Sequence, residues 1–195
     1  MSGRWRRYFD AAGMEPRPTL LAALAAWGDR PPGRAVDLGC GTGRDTLALL
    51  ARGWSVTAID GEAEALARLD AAVTPAERGR LTLTRARFEA MDAVPPAELI
   101  NASMSLPFCP RAAFPAFWRR IRTALAPGGV FAGHLLGPND GWAARGVVVL
   151  DRAAVAALLE GWMVLRCDEN DYDGVTAVGA RKHWHLFEIV ARRPH

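Results

Sequence analysis

The sequence lacks several features that would place it in large classes of protein. It has only three cysteines, Cys40, Cys109 and Cys167, and they are far apart. An odd number of distant cysteines argues against a disulfide framework and a structural zinc site, and it fits a reducing cytoplasm. No run of about 18 apolar residues is present, so we expect no membrane span. No apolar stretch follows the arginines of residues 1–10, so we expect no secretory signal and a cytoplasmic location.

The sequence also has no large excess of positive or negative charge. The formal net charge is +3 at pH 7, and the arginines are scattered among acidic residues instead of forming a basic block. Nucleic acid is therefore not an expected partner. The 195 residues, 50% of them hydrophobic, suffice for one α/β domain with a sizeable core but are few for two. We expect a single domain over residues 1–195, with an N-terminal helical cap over 1–28 and the core over 34–195.

Short apolar strands alternate with helical patterns through the first two thirds of the chain. Helices are predicted at 18–27, 44–52, 62–72 and 114–125, and strands at 35–38, 55–59, 81–86, 99–103 and 130–135. This alternation predicts right-handed crossovers and a parallel sheet with helices on both faces.

The last third of the chain departs from this alternation. After a helix at 151–160, two predicted strands at 163–167 and 185–191 are joined by the polar segment 168–182, with no helix between them. Consecutive strands without a crossover helix form an antiparallel hairpin. The predicted fold is therefore α/β, a doubly wound and mostly parallel sheet of about seven strands with a C-terminal antiparallel hairpin.

A glycine-rich turn follows the first predicted strand. Residues 39–43 read Gly-Cys-Gly-Thr-Gly. Glycines here let the backbone turn sharply and approach a ligand, and the following helix directs its N–H groups at that ligand. The dinucleotide fingerprint requires glycine or alanine at position 44 or 46, where Arg44 and Thr46 stand, and the Gly-Lys-Ser/Thr of a phosphate loop is absent. Taken alone, the turn is also compatible with a mere tight connection between strand and helix.

Two acidic residues follow the next two strands. Asp60 ends the second strand, where a carboxylate can accept hydrogen bonds from both hydroxyls of a ribose. The alternative is that Asp60 caps the helix that begins near Glu62. Glu89 follows the third strand, where it can accept an adenine amino proton while Phe88 covers the ring. The alternative for Glu89 is an exposed acid in a loop.

These residues together resemble class I methyltransferases that use S-adenosylmethionine (SAM). The segment 36–44 is similar to the first motif of that class, and Asp60, Phe88-Glu89 and the turn 125–129 match further marks in order and spacing. The resemblance covers roughly residues 30–135, and the terminal hairpin fits the reversed last strand of the class. It is closest to compact small-molecule methyltransferases of the tellurite-resistance and thiopurine type.

The resemblance implies a Rossmann-like methyltransferase fold, SAM as cofactor and methyl transfer to sulfur, oxygen, nitrogen or a chalcogen of a small molecule. The cofactor-binding residues that it implies are Arg17, Asp37, Gly39, Cys40, Gly41, Asp60, Gly61, Phe88, Glu89, Asn101 and Ser103. Two departures stand out. The fourth strand often begins with aspartate in this class, and here the acid is Glu98. The stretch Asn101-Ala102-Ser103 also lacks the Asn-Pro-Pro-aromatic signature of enzymes that methylate amino groups of bases or glutamine.

Histidines are the candidate general bases. A soft or deprotonated acceptor needs none, because the leaving group is already built into the cofactor. For other acceptors we select His134, at the end of the fifth strand, and His183 in the hairpin. His183 and His185 should project from one face of a strand, and with His134 they could in principle bind a metal. No sequence spacing fixes the third ligand, so we expect no metal. The alternatives are a hydrogen-bonded His134 and a structural hairpin pair with Trp184 packed between.

The first 17 residues precede the core and carry Trp5, Tyr8 and Phe9. In the class that the chain resembles, such extensions often close over the cofactor, and Arg17 could contact the carboxylate of its methionine part. The alternative is a surface helix that packs its aromatic side chains. The acceptor is expected to be a small molecule. Methylation of RNA or protein, and a SAM-binding module without catalysis, remain alternatives, and the sequence leaves the oligomeric state open.

Overall fold

A single seven-stranded sheet organises the protein. The structure, a computed structural model, describes residues 3–195, with side chains from Trp5 onward. The strands are β1 (Arg34–Leu38), β2 (Ser55–Asp60), β3 (Leu81–Arg85), β4 (Ala97–Ala102), β5 (Leu125–Leu136), β6 (Met163–Val175) and β7 (Arg181–Arg192). Their order is β3-β2-β1-β4-β5-β7-β6, and β7 lies antiparallel between β5 and β6 in an otherwise parallel sheet. The predicted fold class is confirmed.

Helices cover both faces of this sheet. They are α1 (Gly3–Ala11), α2 (Pro18–Trp27), α3 (Arg44–Ala51), α4 (Ala63–Ala72), α5 (Pro75–Arg78), α6 (Phe114–Ala124) and α7 (Arg152–Leu158). The helices α2, α3 and α4 share one apolar core with the sheet, and α6 and α7 share a second core on the opposite face. None of the helices between residues 3 and 195 has the length and apolar character that crossing a membrane requires.

The helix ends follow from local sequence. Pro18 begins α2, where its missing N–H group costs nothing, and Gly28 ends it with a positive φ of 72°. Asp151 caps α7 by accepting a hydrogen bond from the backbone N–H of Ala154 at 2.8 Å. α2 buries Leu20 in the core that α3 and α4 share with the sheet. Its packing therefore places α2 in the same helical layer as α3 and α4. The division into a cap over 1–28 and a core over 34–195 stays a prediction.

Two segments that were predicted as turn or loop are strand. β5 begins directly after α6 and includes residues 127–129, which were predicted as a turn. The turn is present inside the strand, because Gly128 has a φ of +72° and the register with β4 passes from Leu125 directly to Val130. The polar segment 168–182 was predicted as a connection, but β6 and β7 continue through it to Val175 and Arg181. This part of the hairpin has water on both faces, so its polar residues carry no apolar alternation that would predict a strand.

Candidate cofactor site

The glycine-rich turn lies at the carboxyl edge of the sheet, where β1 has β2 on one side and β4 on the other. This is the switch point at which open α/β sheets bind ligands. The N–H groups of Gly39 and Cys40 both donate to the carbonyl of Ile59, at 2.7 and 3.0 Å, which fixes the turn to β2. A Cβ atom on Gly39 would overlap Ser105, whereas one on Gly41 would have no neighbour within 4 Å. Gly39 is therefore required by packing, and Gly41 faces open space.

Asp60 joins this turn to the start of α4. Its Oδ2 accepts a hydrogen bond from the N–H of Gly41 at 2.9 Å, and its Oδ1 accepts one from the N–H of Glu62 at 2.8 Å. Burial raises the pKa of Asp60 above its ordinary value. Each carboxylate oxygen keeps a second lone pair, so these bonds leave room for two ribose hydroxyls. Because these lone pairs stay free, the predicted ribose role of Asp60 is compatible with its predicted capping role. Gly61 follows Asp60 directly in the chain.

Beneath the turn lies a buried network of polar side chains. Asp37 accepts hydrogen bonds from Asn101 Nδ2 at 2.9 Å and from Thr46 Oγ1 at 2.6 Å. The same amide nitrogen of Asn101 also donates to Asp45 Oδ2 at 2.9 Å, and Ser103 Oγ donates to Asn101 Oδ1 at 3.1 Å. Asp37 and Asn101 are 2% and 0% exposed. Their hydrogen bonds are made inside the protein, and a direct contact with the cofactor stays a prediction for both.

Sequence reasoning missed Asp45 and Thr46. Both lie in the first turn of α3 and are buried against the sheet, at 4% and 0% exposure. The available signal was their polarity: they are polar at positions where the helix turns towards β1, and a buried polar side chain requires a partner. Thr46 finds its partner nine residues earlier, in Asp37 of β1, whereas Asp45 finds Asn101 of β4, 56 residues away in sequence.

The network carries an excess of negative charge. Burial, and then the neighbouring carboxylate of Asp45, raise the pKa of Asp37 to about 7, against the opposing hydrogen bonds from Thr46 and Asn101. Among the side chains described here, none of Lys or Arg forms an ion pair with Asp37, Asp45 or Asp60. Uncompensated carboxylates attract positive charge. This part of the site therefore suits a cationic group on a ligand.

Phe88 lies against the turn from the side of β3. Its ring stacks on Phe117, with centroids 4.7 Å apart and planes at 20°, and its Cζ atom lies 3.5 Å from the Cβ position of Gly39. Glu89 is exposed, and its carboxylate lies 3.8 Å from the guanidinium of Arg87. Phe88 is thus placed to cover a ring beside the turn, whereas both interpretations of Glu89 stay open.

The candidate bases differ sharply in environment. His134 is 4% exposed, and its Nδ1 atom is buried without a hydrogen-bond partner among residues 5–195. Burial lowers the pKa of His134 to about 3, and the positive charges of Arg17 and Arg166 contribute. His183 contacts Asp173 through Nδ1 at 2.8 Å and Asp171 through Nε2, and these carboxylates raise its pKa. His134 is therefore neutral at physiological pH, whereas His183 favours the protonated form.

His185 is held in one tautomer. The backbone N–H of Asn139 donates to its Nδ1 at 3.1 Å, so its Nε2 carries the proton and donates to Glu169 at 2.8 Å. His183 and His185 contact carboxylates on the same face of β6, as the sequence pattern predicts. In the described part of the chain, no three His, Cys, Asp or Glu side chains are grouped so that they could hold a metal ion.

Lys182, the only lysine in the sequence, is buried at the same end of the sheet. Its ammonium pairs with Asp140, and it lies 3.5 Å from the ring centroid of Trp184 and 4.5 Å from that of Trp142. Asp140 also accepts hydrogen bonds from the N–H groups of Trp142 at 2.9 Å and His185 at 3.2 Å. The loop after β5 is thereby fixed to β7. Trp184 packs against Trp142 instead of between the two histidines.

The helix α1 crosses the carboxyl edge of the sheet. Arg6 and Asp10 form exposed ion pairs with Glu64 and Arg68 of α4, at 3.3 and 2.7 Å. Trp5 packs edge-on against Phe108, which follows β4, with centroids 5.3 Å apart. The glycine turn precedes both supports in the chain, at the end of β1. α1 thus has the placement expected of a cover, although Phe9, at 7% exposure, also belongs to the packed interior.

The chain is similar in sequence to one known family. That family is described as a methyltransferase domain, and its pattern matches residues 35–129. Among curated protein sequences, none matches this chain.

Solved methyltransferase structures share the fold. TehB from Haemophilus influenzae has a TM-score of 0.76 at 18% identity, covering 91% of this chain and 62% of TehB. A SAM-dependent methyltransferase from Methanosarcina mazei has a TM-score of 0.68 at 16% identity, covering 92% and 99% of the two chains. The 1,6-didemethyltoxoflavin-N1-methyltransferase of Burkholderia thailandensis, solved with 1,6-didemethyltoxoflavin and S-adenosylhomocysteine, has a TM-score of 0.63 at 22% identity, covering 95% and 80%. The chain therefore spans less than two thirds of TehB.

These similarities agree with the resemblance that the sequence carries. The pattern of a methyltransferase domain matches residues 35–129, a little under half of the chain, and the solved methyltransferase structures share the fold of the chain. The match covers the glycine turn, Asp60 and Phe88, and it stops before the loop and hairpin that follow β5.

Proposed function

We propose that this chain transfers the methyl group of SAM to a small-molecule acceptor that is already nucleophilic at neutral pH. The attacking atom is sulfur, oxygen, nitrogen or a chalcogen. The observation that carries the proposal is the environment of His134. A histidine with a pKa of about 3 binds a proton far too weakly to act as a general base near pH 7. An acceptor that arrives deprotonated, or with a free lone pair, needs no base.

The hairpin histidines support the same conclusion. Asp173 and Asp171 raise the pKa of His183, and its two ring nitrogens already contact these carboxylates. His185 uses Nδ1 as an acceptor for the N–H of Asn139, so its free electron pair is already engaged. A catalytic role for His183 stays a prediction, and its contacts argue against it.

The residues around the turn fit the cofactor. Gly41 leaves open space at the switch point, Asp60 offers free lone pairs, and Phe88 presents a ring beside the turn. The uncompensated carboxylates of Asp37 and Asp45 favour a cationic group such as a sulfonium. We propose that direct contacts come from Arg17, Gly39, Cys40, Gly41, Asp60, Gly61, Phe88 and Glu89, whereas Asp37, Asn101 and Ser103 support the turn from below.

Bound SAM supplies an electrophilic methyl group with a built-in leaving group. The protein then has to align the acceptor and exclude water. We propose that α1 does both: Trp5 closes against Phe108 on the acceptor side, while Arg6 and Asp10 hold the helix to α4. Exposed ion pairs are weak, so this helix can open for substrates.

A small acceptor is favoured over RNA or protein. Several surface arginines of the described chain are paired with acids, among them Arg34 with Glu98 and Arg166 with Glu188, and the formal net charge is only +3, which disfavours a polyanion as acceptor. The Burkholderia structure was solved with a small heterocyclic molecule, which adds support by analogy of fold.

Labelled methyl transfer to a graded set of acceptors tests the proposal. Thiols and phenols with different pKa values are offered with labelled SAM across pH 5–9. We expect the midpoint of the pH profile to follow the pKa of each acceptor and to be unchanged in His134→Gln. A midpoint that is the same for all acceptors and disappears in His134→Gln would contradict base-free transfer. Binding of SAM with transfer to no acceptor class would favour the binding-module alternative.

A further inference from the structure

A row of four aromatic side chains runs along the carboxyl edge of the sheet. Trp5 packs on Phe108, Phe108 on Trp142, and Trp142 on Trp184, with ring centroids 5.3, 5.8 and 5.4 Å apart. All four residues are half-buried, so each keeps part of its surface open. Aromatic rings prefer to meet other rings offset or edge-on, with centroids about 4.5 to 7 Å apart. This aromatic row can therefore receive one more ring in the same manner.

The strand order places the aromatic row beside the proposed cofactor site. The glycine turn, Asp60 and Phe88 of that site follow β1, β2 and β3. Phe108 follows β4, Trp142 follows β5, and Trp184 lies near the start of β7, so the row occupies the next strands along the same edge. A methyl acceptor has to approach from a side of the site that the cofactor leaves open. The aromatic row lies on such a side.

Met104 lies beside the aromatic row in a strained backbone conformation. Its φ is +52°, and among the described residues it is the only one other than glycine with a positive φ. It follows β4 and packs on the same small apolar cluster as Phe108, Trp142 and Trp184. The left-handed region is costly for a side chain of this size, and such strain is concentrated at binding sites. The strain at Met104 therefore points to a ligand at the row.

The buried ion pair at the hairpin end fixes two rings of the row. The ammonium of Lys182 lies 3.5 Å from the ring centroid of Trp184 and 4.5 Å from that of Trp142, and it pairs with Asp140. Asp140 also accepts a hydrogen bond from the backbone N–H of Trp142 at 2.9 Å. Rings that are already held in place lose little conformational freedom when a ligand stacks on them. The row is therefore preorganised for binding.

We propose that the acceptor is a planar aromatic molecule that stacks on the aromatic row and presents its nucleophilic atom to the cofactor. This inference rests on the proposed methyl transfer and adds the class of substrate, with Trp142 as a residue that determines specificity. The lone pair of the nucleophilic atom forms the bond to the methyl carbon, and the carbon–sulfur bond breaks with its electron pair left on the sulfur of S-adenosylhomocysteine. Stacking on fixed rings aligns a flat acceptor for this displacement better than a flexible one.

Calorimetry with flat and saturated probes of the same size tests the inference without any reaction. Phenol and 2-naphthol are compared with cyclohexanol and decahydro-2-naphthol, each in the presence of saturating S-adenosylhomocysteine. We expect 2-naphthol to bind at least about tenfold more tightly than its saturated counterpart, and phenol to show a smaller preference of the same sign. Equal affinity for flat and saturated probes, or binding of neither, would overturn the inference. If S-adenosylhomocysteine itself did not bind, the proposed function would be refuted, and the inference with it.

Substitutions of Trp142 show whether the row is the binding surface. Trp142→Leu should weaken 2-naphthol about 3- to 10-fold, the effect of one aromatic contact, and Trp142→Phe should keep most of the affinity. Trp27→Leu is the matched control, because Trp27 is a half-buried indole that packs on Trp54 at 5.2 Å and donates to carbonyls that precede β1, at the opposite edge of the sheet. It should leave the affinity for 2-naphthol unchanged. An unchanged affinity in Trp142→Leu, or an equal loss in the control, would show that 2-naphthol binds elsewhere and would overturn the assignment. Thermal unfolding of each variant shows whether it is folded.

The rate of transfer gives a second readout. Thiophenol and 2,2,2-trifluoroethanethiol are both acidic thiols that ionise at mildly alkaline pH, but only thiophenol is aromatic. With labelled SAM, and relative to the uncatalysed rates, we expect kcat/KM to be about tenfold higher for thiophenol, and Trp142→Leu should reduce this ratio. A ratio near one in the unaltered protein would overturn the inference and leave methyl transfer intact. Binding of 2-naphthol with transfer to no acceptor class would refute the proposed methyl transfer, and with it the assignment of the row to an acceptor.

Discussion

The two ends of the carboxyl edge of the sheet differ in whether their buried charges have ion-pair partners. At the glycine-turn end, Asp37 and Asp45 share the amide of Asn101 and form no ion pair with a Lys or Arg side chain of residues 5–195. At the hairpin end, the charged groups are matched: Lys182 is paired with Asp140, and His183 lies between two aspartates. One end therefore holds buried carboxylates without an ion-pair partner among residues 5–195, whereas at the other end the buried carboxylate of Asp140 has its cation within the protein.

We interpret the glycine-turn end as a site whose charges are balanced by a bound ligand, and the hairpin end as a segment whose buried charge has its partner within the protein. A buried charge without a partner is costly, so such charges persist where a ligand supplies the balance. The glycine-turn end has both signs unbalanced, in its carboxylates and in Arg17 and Arg44. The hairpin end uses its charges to fix the loop after β5 against β7. Four changes, from the largest expected effect to the smallest, test this contrast.

Removing the ammonium at the hairpin end should have the largest effect. Lys182→Ala leaves the carboxylate of Asp140, whose side chain is 0% exposed, buried without its cation. Loss of one partner of a buried pair costs about 3–5 kcal/mol. Urea unfolding measures this cost. The control is His183→Ala, because the His183 side chain is 41% exposed and its contacts with Asp171 and Asp173 lie at the surface, so its loss should lower stability much less. Similar losses in both variants would contradict a complete, buried hairpin end.

Gly39→Ala should be the most damaging change at the glycine-turn end. Gly39 has a φ of +70°, and an added Cβ atom would overlap Ser105, so we expect a loss of about 2–4 kcal/mol in unfolding free energy. Gly41 also has a positive φ, at +55°, which an alanine rarely adopts, but an added Cβ atom would have no neighbour within 4 Å. Gly41→Ala should cost only about 1–2 kcal/mol of stability while blocking the space for the cofactor. Thermal unfolding and calorimetry with S-adenosylhomocysteine distinguish the two. Intact binding by Gly41→Ala would show that the open space is not the cofactor site.

The unbalanced carboxylates should make stability depend on pH. Asp37 has a pKa of about 7 in the folded protein, raised from an ordinary value of 3.8. The folded state therefore binds this proton more tightly than the unfolded chain does. The stabilisation that results is complete below about pH 4 and is lost as the pH rises through 7. Asp37→Asn removes this titration.

We expect the stability of Asp37→Asn relative to the unaltered protein to increase by about 1–3 kcal/mol between pH 4 and pH 8. Unfolding free energies measured at several pH values give this difference. The exposed Asp92→Asn serves as the control and should show no such trend. A constant difference for Asp37→Asn would mean that its carboxylate is not destabilised in the folded protein.

The smallest effect is expected from a change in α1, the proposed cover of the site. Trp5→Ala removes the ring that α1 packs against Phe108. We expect methyl transfer to fall about tenfold, because the acceptor is less well aligned, and S-adenosylhomocysteine affinity to stay within about threefold. Arg6→Ala breaks an exposed ion pair and should leave the rate nearly unchanged. If the rate in Trp5→Ala were unaltered as well, α1 would not be a cover for the acceptor.

Much of the cofactor end follows from local sequence. The turn at residues 39–43 and the acid at Asp60 stand directly after short apolar strands, and strand ends of a parallel sheet meet at one edge. The order of such elements is enough to predict that Asp60 and the turn are neighbours, and the hydrogen bond from Gly41 to Asp60 bears this out. Asp37 and Asn101 were also selected, but their mutual hydrogen bond was not predicted.

The hairpin end was less predictable. The sequence pattern placed His183 and His185 on one face but gave no sign that Asp171, Asp173 and Glu169 would face them, because those acids lay in a segment predicted as a loop. Strand pairing in an exposed ribbon is set by cross-strand contacts, which a pattern of apolar residues does not encode. The neutral state of His134 likewise depends on burial beside Arg17 and Arg166, which are distant in sequence.

The sequence by itself determined the class of fold and the position of the glycine turn, because these depend on periodicity and on residues that are close in the chain. Tertiary structure alone decided which charges find partners. Lys182 is neutralised by Asp140, 42 residues away, whereas Arg17 and Arg44, with 26 residues between them, form no ion pair with an acid of residues 5–195. Coulomb energy and desolvation depend on distances in space and on burial, and these are fixed only when the chain is folded.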